Sequence, residues 1–389
     1  MKTLFKSTVL SLALATFLSC NGNNTKKEPL AYNVVETIIH PEPKTNKQFI
    51  KVALLLDTSN SMDGLIDQAK AQLWDIVNEL SYAKCKHEKP NLQIALYEYG
   101  NDNLSGEEGY IRQVLPFSAD LDEISKELFS LTTNGGNEFC GQVIQTALNQ
   151  LNWGKNPDDL KLVFIAGNEP FTQGKVSYKD AGTNANEKSV TVNTIFCGDY
   201  QQGINSYWKA GADLTHGDYM AINQNRATVY VASPYDDEIL ILNEKLNKTY
   251  VIYGDKGSDK IALQAQQDAN AQAYSKANAV SRTVSKSSHL YKNKQWDLVD
   301  AVEEDEVSLE TLGDEALPTE LKGKSETEIK KYVEQKKTER NNIQNQIQEL
   351  NEKRKTYIAQ QSTQTNNGLE NAMTKAIKEQ AKKKNYTWE

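Results

Sequence analysis

Lys51-Val-Ala-Leu-Leu-Leu-Asp57-Thr58-Ser59-Asn60-Ser61-Met62-Asp63-Gly64 is the stretch on which the fold turns. Its first part, Val52 to Leu56, has the length and composition of a strand buried on both faces. Further on, Leu65, Ile66, Ala69, Leu73, Ile76, Val77 and Leu80 recur at a spacing that predicts an amphipathic helix. Between the two, Asp57, Ser59 and Ser61 alternate along a turn. A carboxylate and two hydroxyls at a strand's carboxyl end suit a hard cation such as Mg²⁺, which takes oxygen ligands at about 2.0–2.1 Å and retains waters. The same residues suit a polar turn capping the helix, and the stretch by itself leaves both readings open.

Outward from this stretch the chain alternates strand and helix patterns. Leu92 to Tyr99 reads as a strand, Asn101 to Glu108 as a turn, Ile111 to Leu115 as an edge strand and Leu121 to Leu131 as a helix. Leu131-Thr-Thr-Asn-Gly-Gly-Asn137-Glu138-Phe-Cys140 is a polar loop feeding a helix that runs to Leu148. Leu160 to Ala166 is a second apolar strand, followed by Gly167-Asn168-Glu169-Pro170. Val190 to Phe196 is a third, ending at Cys197-Gly198-Asp199, and Gly217 to Ile222 a short last one. Such alternation predicts an α/β fold, a mostly parallel sheet flanked by helices.

In this order the loops and strands resemble a von Willebrand factor type A (VWA) domain over about Phe49 to Val231, with its Rossmann-like sheet. The resemblance implies a metal-ion-dependent adhesion site (MIDAS), whose cation is completed by an acidic side chain of a binding partner. Asp57, Ser59 and Ser61 match the first loop of that site residue by residue. The later loops depart. Asn137 stands where the family usually has Thr, and Gly167 where it usually has Asp, with Asn168 and Glu169 just beyond. The implied metal set is therefore Asp57, Ser59, Ser61, Asn137 and Glu169, with Glu138 a further carboxylate in reach, for Mg²⁺ or else Mn²⁺ or Ca²⁺. In a fold of this type Cys140 and Cys197 both fall near the carboxyl edge of the sheet. A bridge between them is expected to stabilise by about 2–4 kcal/mol and would leave Cys85 unpaired; the alternative is two buried thiols.

Composition sets the wider frame. With 389 residues, 38% hydrophobic and 25% charged, the chain can bury a full core and has material left over. A net charge of −8 gives no reason to expect nucleic acid binding. Met1-Lys2 with Lys6, then the apolar Val9 to Leu18, reads as a targeting segment. It resembles a bacterial lipoprotein signal, with Phe17-Leu18-Ser19 before Cys20 as the lipidation site, although Phe17 departs from the usual Leu; an ordinary secretory signal is the alternative. The expected organisation is a signal segment 1–20, a tether 21–48, a VWA domain with added edge elements 49–257, a helical accessory region and acidic linker 258–321, and a basic helical hairpin or weak coiled coil 322–389. The expected location is the bacterial cell envelope, anchored by lipid at the outer membrane.

The tail repeats a seam at alternating steps of four and three, occupied by Ile329, Val333, Lys336, Arg340, Ile343, Ile347, Leu350, Arg354 and Tyr357. It carries +6 against −14 in the rest of the chain, so self-association through these helices and packing on the acidic body are both open. Other chemistries fall away. Gly167 to Val176 has the wrong spacing for a phosphate loop, and His40, His87, His216 and His289 share no ligand spacing. No catalytic set can be nominated, so the expectation is no enzyme. It is instead an envelope protein that binds an acidic residue of a surface protein partner through a cation. The alternative is a metal-independent scaffold or accessory subunit of an envelope assembly.

Overall fold

The apolar run after Gln48 forms a nine-residue strand, β1 (Phe49–Asp57), buried from Ile50 onward. The computed structural model describes residues 48–226, 230–361 and 369–388. The expected signal segment, Cys20 and the tether up to residue 47 lie outside the described residues. After β1 come α1 (Asp63–Leu80), β2 (Ala83–Cys85), β3 (Asn91–Tyr99), β4 (Ile111–Ser118), α2 (Leu121–Ser130) and α3 (Cys140–Gln150). Then follow β5 (Leu160–Gly167), α4 (Tyr178–Glu187), β6 (Thr191–Cys197), α5 (Tyr200–Asn205), α6 (Trp208–Asp213) and β7 (Tyr219–Ile222). Six of these strands make one sheet in the order β4-β3-β1-β5-β6-β7. Only the β3–β4 pairing is antiparallel.

Alternation along the strands divides the core in two. Val52, Leu54 and Leu56 face one side with Ile94, Leu96, Leu162 and Phe164. Ala53 and Leu55 face the other with Ala95, Tyr97, Val163 and Ile165, under α3, α4 and Trp208. The first side is covered by α1 and α2, and then by a helix from the far end of the chain.

Between β7 and that last helix lies a helical insertion: α7 (Asp236–Asn247), α8 (Gly257–Tyr274), α9 (Lys276–Lys286), α10 (Leu298–Glu303) and α11 (Glu326–Gln361). Within the expected helical accessory region, the helical run breaks at Ser275, whose hydroxyl accepts the Asn278 N–H at 3.1 Å and starts α9. The end of the expected acidic linker is packed, with Leu317 and Leu321 against Val251, Leu298, Ile329 and Val333. The seam of α11 is occupied by the chain itself: Ile343, Ile347 and Leu350 pack on Ile239, Leu242 and Leu246 of α7 and on Val280 and Val284 of α9. Two of its basic positions are anchors. Arg340 lies over the Tyr250 ring at 4.3 Å and pairs with Asp297 at 2.6 Å and Asp300 at 2.8 Å, and Arg354 pairs with Asp236 at 3.0 Å.

The last helix, α12 (Leu369–Lys382), does not fold back on α11 as a hairpin. Its Leu369, Met373, Ala376, Ile377 and Ala381 join the core beside Leu54, Leu56 and Phe164. Gln68 and Gln72 of α1 accept the Leu369 and Glu370 N–H groups at 3.3 and 2.6 Å. At the other end Gln380 donates to Asp218 at 2.6 Å. A final strand, β8 (Tyr386–Trp388), pairs with β2. The expected domain limits therefore change: the sheet domain begins at 49, is interrupted by the insertion, and is completed by residues 369–388. Ile377, with none of its surface exposed, is core to this domain, and Ile377→Ala is expected to cost about 2–5 kcal/mol in urea unfolding of the full chain. A helix belonging to a free tail would leave the unfolding midpoint unchanged.

Candidate metal centre

The loop after β1 is held by its own backbone. Asp57 Oδ1 accepts the Ser59 N–H at 2.8 Å, and the Thr58 N–H donates to the Tyr99 carbonyl at 2.9 Å. Asp57 and Ser59 are thereby buried at the carboxyl end of the central strand. The Ser59 and Ser61 hydroxyl oxygens stand 3.3 Å apart, and Asn168 Nδ2 donates to Ser61 Oγ at 3.1 Å. Three of the five residues expected from the sequence thus meet in one place. Asn137 and Glu169 are exposed. Glu169 is held at the rim by Gln173, which donates to it at 3.1 Å, while the Trp208 indole N–H donates to its backbone carbonyl at 2.8 Å.

The second carboxylate at the centre is Glu138, only 4% exposed. Two glycines make room for it. A β-carbon at Gly100, whose φ is +78°, would lie 2.7 Å from Glu138 Cγ and 2.9 Å from Asp57 Oδ1. A β-carbon at Gly167 would lie 2.5 Å from the Tyr99 hydroxyl and 2.9 Å from Asp57 Oδ2. An aspartate at 167 therefore cannot be accommodated without displacing Asp57 or Tyr99. The carboxyl group that does lie beside Asp57 is that of Glu138, which reaches in from the loop between α2 and α3.

Asp57 Oδ2, Glu138 Oε2 and Asn168 Oδ1 are buried without a hydrogen-bond partner. All three are acceptors. Burial raises the Asp57 carboxyl to about 6, with the charge of Glu169 a smaller cause in the same direction. Burial, and then the adjacent Asp57 charge, raises Glu138 to about 9. Unpartnered acceptors with an unfavourable electrostatic balance fit a bound cation, whose charge relieves both. Among the described residues no three His, Cys, Asp or Glu side chains gather as a metal group. The fit rests on two carboxylates together with hydroxyl and amide oxygens, a donor set for Mg²⁺, Mn²⁺ or Ca²⁺ rather than for a soft metal.

The expected Cys140–Cys197 bridge is not formed: both are buried free thiols, as is Cys85. Cys140 faces the core layer under α3, with Sγ 4.0 Å from the Tyr99 hydroxyl, whereas Cys197 faces the layer on the opposite side of the sheet. The sheet separates them. Burial pushes both thiols well above their ordinary range, which keeps them protonated.

A six-stranded, nearly all-parallel sheet with an Asp-x-Ser-x-Ser turn at the end of its central strand defines the class of protein. Residues 51–208 match the von Willebrand factor type A domain, and the chain carries a VWA domain. Among solved structures, BatB from Bacteroides thetaiotaomicron, described as a conserved hypothetical protein, is 16% identical over 44% of this chain and 90% of its own, with a TM-score of 0.34. An aerotolerance-related membrane protein from Bacteroides fragilis is 15% identical over 45% of this chain and 93% of its own, with a TM-score of 0.31. A von Willebrand factor type A protein from Catenulispora acidiphila is 15% identical over 45% and 39%, with a TM-score of 0.34. No curated protein sequence matches the chain.

The raised carboxyls have a consequence for stability without metal. Because both folded values lie above the ordinary 3.8 and 4.5, their contribution is complete below pH of about 4 and is lost as pH rises through about 6 and then about 9. In EDTA, Glu138→Gln is expected to raise the unfolding free energy at pH 8 and to flatten its decline between pH of about 5 and 9, as read from urea unfolding across that range. An unchanged slope in the variant would contradict the buried pair.

Proposed function

We propose that this chain is a non-enzymatic, lipid-anchored protein of the bacterial cell envelope. In this reading it binds a protein partner through a divalent cation held by Asp57, Ser59, Ser61 and Glu138. The observation that carries it is the group of three buried acceptor oxygens that have no donor, on Asp57, Glu138 and Asn168. A buried acceptor left unpaired costs about 1–3 kcal/mol, and a fold retains three of them in one place where a ligand satisfies them. Asn137 and Glu169, both exposed, belong to the rim at which the partner arrives. A divalent cation bound there offers an open coordination position that a partner's carboxylate can fill.

The envelope location and lipid anchor rest on the Met1 to Cys20 sequence. No helix among the described residues is long and apolar enough to cross a membrane. Calorimetric titration of Mg²⁺ and Mn²⁺ into the full chain is expected to give saturable heat that Asp57→Ala abolishes; no metal-dependent heat in the wild type would sink the reading. In intact envelopes, crosslinking to the partner is expected to fall on EDTA treatment and to recover with added Mg²⁺. A crosslink indifferent to EDTA would favour a scaffold that docks without metal.

A further inference from the structure

The surroundings of the metal centre constrain the partner's chemistry, an inference that rests on the cation-bridged reading above. The loops at the carboxyl end of the sheet (57–63, 100–110, 131–139, 168–177 and 198–199) contain eight carboxylates and one basic residue, Lys175. Three exposed ones are tied to the site. Asp63 accepts a hydrogen bond from the Thr133 hydroxyl of the α2–α3 loop. Asp102 and Asn60 flank Gly135, where a β-carbon would lie 3.6 Å from Asp102 Oδ2 and 3.3 Å from Asn60 Nδ2. Glu169 bears electrostatically on both Asp57 and Glu138. The unpartnered oxygens of Asp57 and Glu138 belong to two of these same loops. One divalent cation offsets two of these charges, so the occupied site still carries a negative rim that repels a purely acidic surface.

Beside the rim stand two tyrosines with little cover. Tyr200 is 54% exposed and Tyr207 51% exposed, two of the four large exposed hydrophobic side chains among the described residues. Tyr207 adopts a φ of +73°, unfavourable for a bulky residue, in the turn before Trp208. That turn is fastened to the Glu169 loop twice: the Phe171 N–H donates to the Ser206 carbonyl at 2.9 Å, and the Trp208 indole donates to the Glu169 carbonyl at 2.8 Å. An exposed aromatic ring on a turn fastened to the loop that carries an exposed carboxylate suits guanidinium groups, which both stack and form ion pairs.

We propose that the partner presents its metal-binding carboxylate from within a basic surface, with arginines placed against Asp63, Asp102 and Glu169 and over Tyr207. Specificity then comes from the rim, and the cation alone does not select the partner.

The test uses the full chain loaded with Mn²⁺, with water-proton relaxation reporting entry of a peptide carboxylate. Acetyl-Arg-Glu-Arg-amide is expected to bind about tenfold tighter than acetyl-Ala-Glu-Ala-amide at low ionic strength, the sum of a few exposed ion pairs and one cation–π contact. The preference is expected to shrink in Asp102→Asn, in Tyr207→Ala and on raising the salt concentration. Equal affinities, tighter binding of the alanine peptide, or binding of neither would overturn the inference while leaving Mn²⁺ binding in place. Wild-type protein that takes up no Mn²⁺ would overturn the proposed function and this inference together. Acetyl-Arg-Gln-Arg-amide binding as tightly as the glutamate peptide would support the basic requirement and sink the carboxylate bridge.

Discussion

A sheet that is apolar on both faces has to be covered on both, and in this chain one cover arrives last. Residues 49–222 lay down the six strands together with the helices of one face and most of the other. The groove beside α1, lined by Leu54, Leu56, Phe164 and Ile195, stays open until α12 brings Leu369, Met373 and Ile377 into it. Burial of apolar surface at about 25 cal/mol per Å² makes this the largest single gain the final helix can make. The insertion has to return the chain to within reach of that groove, and the C-terminal strand then ties α12 down by pairing with β2.

The insertion is joined to the sheet domain by buried charge as well as by apolar contact. Arg282 of α9 is 1% exposed and bridges Asp122 of α2 at 2.8 Å and Asp268 of α8 at 2.6 Å, while its guanidinium lies 4.9 Å from the Trp74 ring centre. Lys286 adds a second contact to Asp268 at 2.9 Å. Removing one member of such a set strands the others without compensation, so the network specifies one docking geometry more than it adds net stability. The basic positions that weaken the α11 seam as an intermolecular coiled coil have the same use. Arg340 and Arg354 are matched to Asp297, Asp300 and Asp236 of their own chain.

At the candidate metal centre the deciding quantity is space. Gly167 leaves no room for a side chain beside Tyr99 and Asp57, and Gly100 opens a niche that Glu138 fills. The candidate site holds two carboxyl groups, Asp57 from the end of β1 and Glu138 from the loop between α2 and α3. The result is a buried pair of carboxyl groups with unpartnered oxygens, whose joint ionisation is costly unless a positive charge lies beside them.

Much of this was legible in the chain. An apolar run ending in Asp57-x-Ser59-x-Ser61, followed by period-3.6 spacing, specifies a buried strand, a polar turn and a helix from local physics alone. The strand–helix alternation specifies the parallel sheet, and the seam of the tail specifies one apolar helix face. What covers that face is a long-range property: nothing in Ile343 or Ile347 states that the partner is Leu242 and not a second chain. The same holds for α12, whose apolar face is plain in the sequence while its seat on α1 is not. In the loop after Gly135-Gly136, Asn137 and Glu138 are adjacent, and only backbone direction decides that the first is exposed and the second buried. Cys140 and Cys197 both lie at the carboxyl end of the sheet, but the two sides of a pleated strand are opposite faces of the molecule, and the tertiary structure puts one thiol on each. The sequence by itself determined the periodicities and the first loop of the site; the packing of distant segments decided which side chains meet there, because pairing across the fold leaves no mark in local spacing.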